Sequence, residues 1–204
     1  MKVVRIESHY LGSLEYYALL LNCETVEVET AGLFRKQTYR NRCYILSANG
    51  VLPLIVPVNY SSKMHMKEVK VDQNQRWKKD HWGAIYSAYG KAPFFDYFAP
   101  DFYEVIHKRH QFLIDLNRDF LDLTLKLLQA DVKVAYLEND FSAMSGDFLN
   151  VIIPKKSYVD RKIYTPVEYT QLFGEEFCPN LSVIDLLMCE GPNSRQILSA
   201  SFLS

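Results

Sequence analysis

The chain opens on a short apolar run, Val3 to Ile6, that reads as a buried strand and feeds a loop, Glu7-Ser8-His9-Tyr10-Leu11-Gly12. Ser13 is placed to cap a helix reaching about Asn22, with Glu15 near its positive end. From Thr25 to Thr30, Val26 and Val28 alternate with Glu27 and Glu29, the period-two pattern of a strand covered on one face. Cys43 to Leu46 and Val51 to Val58 flank Ser47-Ala48-Asn49-Gly50. Asn-Gly between apolar runs predicts a hairpin, because both residues accept positive φ. Pro53 and Pro57 lack N–H groups on one edge of the second strand, which should be an edge strand or leave the sheet early.

The apolar period then lengthens to that of helices. Asn74 is placed to cap a helix on which Trp77, His81, Ala84, Ile85 and Ala88 share a face, ended by Gly90 and Pro93. Phe102 to Ile106 fits a short helical turn. From about Arg109 to Gln129, Phe112, Leu116, Phe120, Leu123 and Leu127 form one stripe, with Asp115, Asp119 and Asp122 away from it. Val132 to Leu137 and Val151 to Ile153 read as strands around a polar surface loop, Glu138 to Asn150. Ser182 with Asp185 makes a box-type cap for a helix through Glu190, which Gly191 and Pro192 terminate, and a last helix runs from about Asn193 to Ala200. With no repeat or linker, residues 1–204 are expected to form a single domain. The predicted class is α/β, a mixed β-sheet packed by helices with a largely helical middle segment.

Composition narrows the functional classes. At 204 residues and 49% hydrophobic content, the chain can bury a core without staples. Its aromatic share of 14% suits that core or a ring-lined cleft. A net charge of −1 argues against a nucleic-acid partner. The charge is uneven, however: Lys63, Lys67, Lys70, Arg76, Lys78 and Lys79 face only Glu68, Asp72 and Asp80, whereas Arg195 alone faces five acids after Ile163. Such asymmetry permits a local anion site. No stretch approaches the roughly 18 apolar residues of a membrane span, and no signal peptide is evident, so a cytoplasmic protein is expected. Cys23, Cys43, Cys178 and Cys189 show no CxxC spacing, which fits reduced thiols.

The densest chemistry lies where Arg35, Lys36, Arg40 and Arg42 fall within eight positions that hold no acid. In an extended chain, Arg40 and Arg42 would leave one face together and grip a phosphate or carboxylate, with Tyr39 and Asn41 pointing the other way. The ordinary alternative is a solvated edge whose bases pair with Glu27 and Glu29. His9 lies where a strand becomes a helix, a usual place for a general base, although an exposed loop histidine reads the same. His81, between Trp77 and Trp82 on an apolar face, is a second candidate base; the plainer reading is a hydrogen-bonded core histidine. Cys43 follows Arg42, yet a strand cysteine is more often inert packing. Glu104, His107 and His110 have helical spacing, but Lys108 and Arg109 disfavour a cation, so no metal site is expected. No phosphate loop or nucleophile elbow is present, and no cofactor can be named.

Lys-Gln-Thr-Tyr-Arg-Asn-Arg-Cys, from Lys36 to Cys43, followed by the Asn-Gly hairpin and Leu54-Ile55-Val56-Pro57-Val58, resembles the signature of the WbqC-like protein family. Further blocks follow in that family's order: Trp77 to Trp82, Ala88 to Phe95, Asn117 in the long helix, and Pro179 to Leu187. The chain departs from the pattern in its first loop, where only Tyr10 carries over cleanly, and in a shortened segment from Glu138 to Arg161. The resemblance implies a transferase of aminoacyl, acyl or related groups in bacterial O-antigen, surface-polysaccharide or envelope biosynthesis. On that reading, Arg35, Lys36, Arg40 and Arg42 hold an anionic small-molecule or carrier-linked donor. His9 or His81 deprotonates the acceptor, and Tyr10, Tyr39 and Asn41 orient it. The two departures motivate the alternative, a non-catalytic binding or scaffold protein with the same fold.

Overall fold

Strand β1 (Val3–Glu7) buries both of its faces: Val4 and Ile6 on one, Arg5 and Glu7 on the other. A strand so covered belongs inside a parallel sheet, and the computed structural model, which describes residues 1–138 and 146–203, places it there. β1 pairs in parallel with β2 (Thr25–Glu29), which pairs in parallel with β7 (Lys133–Leu137). The register sets Glu7 beside Glu29, so two carboxylates close the carboxyl ends of neighbouring strands.

On the other side of β1, the Arg5 amide donates to the Gly146 carbonyl at 2.9 Å and the Phe148 amide donates to the Arg5 carbonyl at 2.8 Å. The expected surface loop from Glu138 to Asn150 lies partly outside the described residues, at 139–145. Its described end does not run free over the surface but bridges to the sheet in parallel at Asp147.

Antiparallel pairing occurs separately, in β3 (Arg42–Ser47) with β4 (Gly50–Ile55) and in the short β5 (Val58–Asn59) with β6 (Lys70–Val71). The α/β class with both kinds of pairing therefore holds, the pairings being divided among three sheets. As expected from its prolines, β4 ends early, at Ile55. The hairpin turn differs by one residue from its sequence signature. Ser47 pairs with Gly50, so Ala48 and Asn49 are the central pair, and Gly50 takes the positive φ of +97° that follows a tighter turn.

Helix α1 (Leu14–Leu20) is capped by Ser13, whose Oγ accepts the Tyr16 amide, and all seven of its residues are buried. It packs against α6 (Val183–Glu190) and α7 (Ser194–Ala200). Ser182 joins three parts of the molecule: its amide donates to the Tyr44 carbonyl, its Oγ donates to the Leu11 carbonyl at 2.7 Å, and it caps α6. In the middle segment, α2 (Trp77–Tyr89) ends at Gly90 as predicted, but its cap is Arg76; Asn74 instead turns back on Asp72.

The short helical turn expected at Phe102–Ile106 is the second half of a longer helix, α3 (Phe95–His107). Pro100 sits inside it, and burial of Phe95, Phe98, Ala99, Phe102 and Ile106 along one stripe outweighs the lost hydrogen bond. In α4 (Leu113–Leu127) the buried face runs through Leu113, Leu116, Asn117, Phe120, Leu121 and Thr124. Leu123 and Leu127, expected on that face, are only partly buried, because the helix turns Asn117 inward. Val151–Ile153 is a turn and not a strand; Ile152 is buried there without a ladder partner among the described residues.

One buried ion pair closes the late segment onto α1. Arg161, from α5 (Tyr158–Arg161), grips both carboxylate oxygens of the fully buried Glu15, with Nε to Oε1 at 2.7 Å. Its Nη1 donates to the Ile153 and Lys156 carbonyls. Removing one partner leaves an uncompensated buried charge, which costs about 3–5 kcal/mol. We therefore expect Arg161→Ala to lose stability on that scale in urea unfolding, and the double variant Glu15→Gln/Arg161→Ala to recover part of it. Equal losses in the two variants would show that the pair carries no coupling.

Candidate active site

The carboxyl edge of the parallel sheet gathers a buried polar cluster. Glu7 ends β1 and Ser8 and His9 follow it, all three buried. The His9 Nε2 lies 3.7 Å from Glu7 Oε1, and Arg40 Nη1 lies 3.5 Å from the same oxygen. The other carboxylate oxygen, Oε2, accepts the Asn150 amide at 2.9 Å, while Arg40 Nη2 donates to Asn150 Oδ1 at 3.0 Å. Asn150 thus clamps both members of the ion pair from a segment expected to be surface loop. From α4, Asn117 Nδ2 donates to the Arg40 carbonyl at 2.9 Å and to Ser8 Oγ at 3.2 Å. One inward-facing amide therefore fixes the two loops that carry His9 and Arg40.

Electrostatics set the protonation states. Burial opposes ionisation of Glu7, but His9, Arg40 and the Asn150 amide overcome it and hold the carboxyl down at about 2. Burial lowers the His9 pKa, with Glu7 offsetting it only in part, so the imidazole is neutral near pH 7. Arg40 is likewise pulled down by burial, opposed by Glu7 and Glu29 and reinforced by Arg35, yet a guanidinium keeps its charge. The His9 ring stacks on Tyr16 at 4.3 Å between centroids and leans on Tyr39 at 5.2 Å. Among the described residues, Glu7 Oε1, both His9 ring nitrogens, Arg40 Nη1, Asn117 Oδ1 and the Tyr16 hydroxyl make no hydrogen bond. Three of these atoms, Glu7 Oε1, His9 Nε2 and Arg40 Nη1, face one another only at ion-pair distance. So many buried polar atoms without a hydrogen bond in one place mark a site that can hydrogen-bond to something else.

The basic segment is arranged differently from its sequence expectation. It turns at Lys36–Gln37, where Gln37 has φ +58°, and again at Tyr39–Arg40. Arg40 and Arg42 therefore do not project together from an extended strand: Arg40 goes to Glu7, while Arg42 begins β3 opposite Ile55. Arg35 and Lys36 are exposed, with the Lys36 ammonium 4.9 Å over the Tyr60 ring. Asn41 ties the segment to the end of the hairpin, its Nδ2 donating to the Val56 carbonyl at 2.9 Å.

His81 stands apart from the Glu7–His9–Arg40 cluster. Its Nε2 meets the Ile55 carbonyl at 3.2 Å and its Nδ1 meets the Tyr10 hydroxyl at 2.8 Å. A carbonyl can only accept, so Nε2 carries the proton and Tyr10 donates to Nδ1. Burial takes the His81 pKa down to about 4, which keeps the ring neutral. Cys43 is buried, and burial pushes its thiol up, away from thiolate chemistry. His107 turns to the Tyr103 carbonyl and His110 to Asp119, so the helical spacing of Glu104, His107 and His110 does not gather them.

Glu7, Ser8, Asn117 and Asn150 were not among the residues singled out as a site from sequence. A signal for Glu7 existed: Val-Val-Arg-Ile-Glu and Thr-Val-Glu-Val-Glu both close an apolar strand on glutamate, and in parallel register those ends adjoin. Asn150 had no such signal, since its role depends on where the chain returns.

Comparison with known proteins relates most of the chain to one family. The sequence model of the WbqC-like protein family matches residues 7–152 and 155–197, a span that includes Glu7, His9, Arg40, Asn117 and Asn150. The Uncharacterized protein Rv1507c of Mycobacterium tuberculosis is 26% identical over 229 aligned positions, which cover 97% of this chain and 97% of its own length. No solved structure matches.

The shifted groups give stability a defined pH dependence. His81 and His9 have folded pKa values below that of the unfolded chain, so the unfolded state takes up protons first on acidification. Their contribution is whole above about pH 6.5 and falls as pH drops towards 4, with His81 accounting for on the order of 3 kcal/mol. Glu7, depressed to about 2, adds a loss only below its ordinary value near 4.5. We expect urea unfolding free energy to fall between pH 6.5 and 4, with a shallower slope in His81→Gln and in His9→Gln. An unchanged slope in both variants would contradict these assignments.

Proposed function

The chain belongs to the WbqC-like protein family, and from that premise we propose that it is a group transferase using His9 as general base. The observation that carries this reading is the buried Glu7–His9–Arg40 cluster at the carboxyl end of a parallel strand, where α/β enzymes place their chemistry. With Nε2–H directed at Glu7, His9 Nδ1 holds the free lone pair. An acceptor hydroxyl or amine gives its proton to Nδ1 as it attacks the carbonyl of an aminoacyl or acyl donor. The new acceptor–carbonyl bond forms, the bond to the donor's leaving group breaks, and His9 returns the proton to that group. Glu7 stabilises the imidazolium, and Arg40 keeps Glu7 ionised. His81 positions Tyr10 through their hydrogen bond.

Arg35 is the base best suited to a donor anion, since it is exposed and its charge is felt at Arg40. Lys36, exposed beside it in the chain, and Arg42, at the start of β3, are the other cations available to that donor, and Tyr39 and Asn41 hold the backbone between them. The family resemblance supports a setting in bacterial surface-polysaccharide or envelope biosynthesis, in the cytoplasm. Among the described residues, no helix is long and apolar enough to cross a membrane.

One observation favours a second reading, a non-catalytic binding or scaffold protein: the His9 side chain has no exposed surface. The two readings part in a direct assay. The protein is incubated with acyl-coenzyme A or aminoacyl-adenylate donors and nucleotide-sugar acceptors, and products are read by mass spectrometry. Under the transferase reading, His9→Gln loses about 10²–10⁴-fold in kcat, while Arg35→Ala raises the donor KM with kcat little changed. No product from the wild type with any donor, or full activity in His9→Gln, would reject this reading and leave the scaffold.

A further inference from the structure

Beside Tyr39 lies a cleft of about 350 Å³ whose lining does not include His9. Its walls come from three separate parts of the chain: Tyr39 and Tyr44 beside the hairpin, Lys156 and Tyr158 from the late segment, and Cys178 to Leu181 before α6. The size falls at the lower end of the roughly 300–1,000 Å³ usual for small-molecule sites. Tyr39 and Tyr44 meet edge to face at 6.0 Å, and Tyr158 is braced by Tyr164 in the same way at 5.4 Å. Rings held so firmly lose little entropy when a flat ligand packs on them.

Charge selects among flat ligands. Among the described residues no acidic side chain lines the cleft, and Glu15, which Arg161 of its wall grips, is neutralised by that bidentate pair. Arg161 also spends Nη1 on two carbonyls, so its role is to hold the wall and not to bind. Lys156 is different: its ammonium is exposed at the rim and makes no hydrogen bond or ion pair among the described residues, leaving one uncompensated positive charge.

We infer that this cleft binds a small ring ligand carrying a single phosphate, with the ring against Tyr44 and Tyr158 and the phosphate at Lys156. A nucleoside monophosphate and a sugar phosphate share that chemistry. Tyr39 lines the cleft and its ring also leans on His9, so the bound molecule lies beside a ring that packs on the proposed base. Its binding does not rest on the transferase reading.

Cys178 supplies a built-in reporter. It lines the cleft and is half-buried, while Cys23, Cys43 and Cys189 are buried. The rate of maleimide labelling at Cys178 is followed by peptide mass spectrometry in the full-length protein, with uridine monophosphate, glucose 1-phosphate, uridine, glucose or inorganic phosphate at matched concentrations. Uridine monophosphate or glucose 1-phosphate should slow labelling saturably, and whichever protects identifies the source of the ring. The unphosphorylated rings should protect at least about 10-fold less well, the size of one lost charged hydrogen bond. Inorganic phosphate, which lacks the ring, should likewise protect about 10-fold less well through the lost apolar burial. Lys156→Ala, an exposed position, should raise the half-protecting concentration by a similar factor. His9→Gln should leave protection intact, so loss of turnover with intact protection tests the base alone. No protection by either phosphorylated ring, or protection that is unaltered in Lys156→Ala, overturns the inference.

Discussion

The rest of the site depends on one constraint, the ionised carboxylate of Glu7 held out of water at the end of β1. Left alone, a buried carboxylate takes up a proton, because desolvation penalises the charge. Here three groups prevent that, two of them from distant parts of the chain: Arg40 from the segment after β2, the Asn150 amide from the stretch that returns beside β1, and His9 only two residues on. Each contact is of modest strength taken singly, and the 3.5 and 3.7 Å separations are ion-pair distances, longer than hydrogen bonds. Together they outweigh the burial penalty and hold the Glu7 carboxyl below the ordinary carboxylate range.

A second buried carboxylate, Glu15, is handled by the opposite strategy. Arg161 meets it with two oxygens engaged and Asn180 adds a further hydrogen bond to Oε2, so the pair is satisfied and closed. Glu7 and His9 keep polar atoms without a hydrogen bond among the described residues, whereas the Glu15 pair does not. This contrast separates a structural clasp from a group of side chains still able to engage a further molecule. Buried polar groups are retained at a cost in stability, and an unsatisfied one costs more than a paired one. The molecule concentrates that cost around His9.

Tyr39 links the two features that bear on function. Its ring is buried, leans on His9 and lines the Tyr44–Tyr158 cleft. Its backbone carbonyl accepts the Tyr10 amide, which ties it to the loop that carries His9. Tyr10 in turn hydrogen-bonds His81, and Asn41, two residues beyond Tyr39, holds the end of the hairpin. Tyr39 and Asn41 of the basic segment therefore do the positioning, while its cations divide into Arg40, buried at Glu7, Arg42, half-buried at the start of β3, and Arg35 and Lys36, which are exposed.

Local patterning by itself determined the elements whose signals are short-range: the alternation of Thr25–Glu29, the Ser13 and Ser182 caps, the hairpin, and the long helix. These follow from side-chain period and from hydrogen bonds within a few residues, which neighbouring residues decide. The order of the blocks also carried the resemblance to the family that the comparison bears out. Patterning erred where a long-range gain outweighed a local preference. Aromatic burial carried α3 through Pro100, and Asn117 drew the inner face of α4 round towards Ser8 and Arg40. Only the tertiary structure could decide that Arg40 turns inward while Arg35 stays in water, or that Asn150 meets both Glu7 and Arg40 across more than a hundred residues. The cause is the same in each case. A charge's partner is set by where the chain returns in space, and desolvation makes that partner compulsory once the charge is buried.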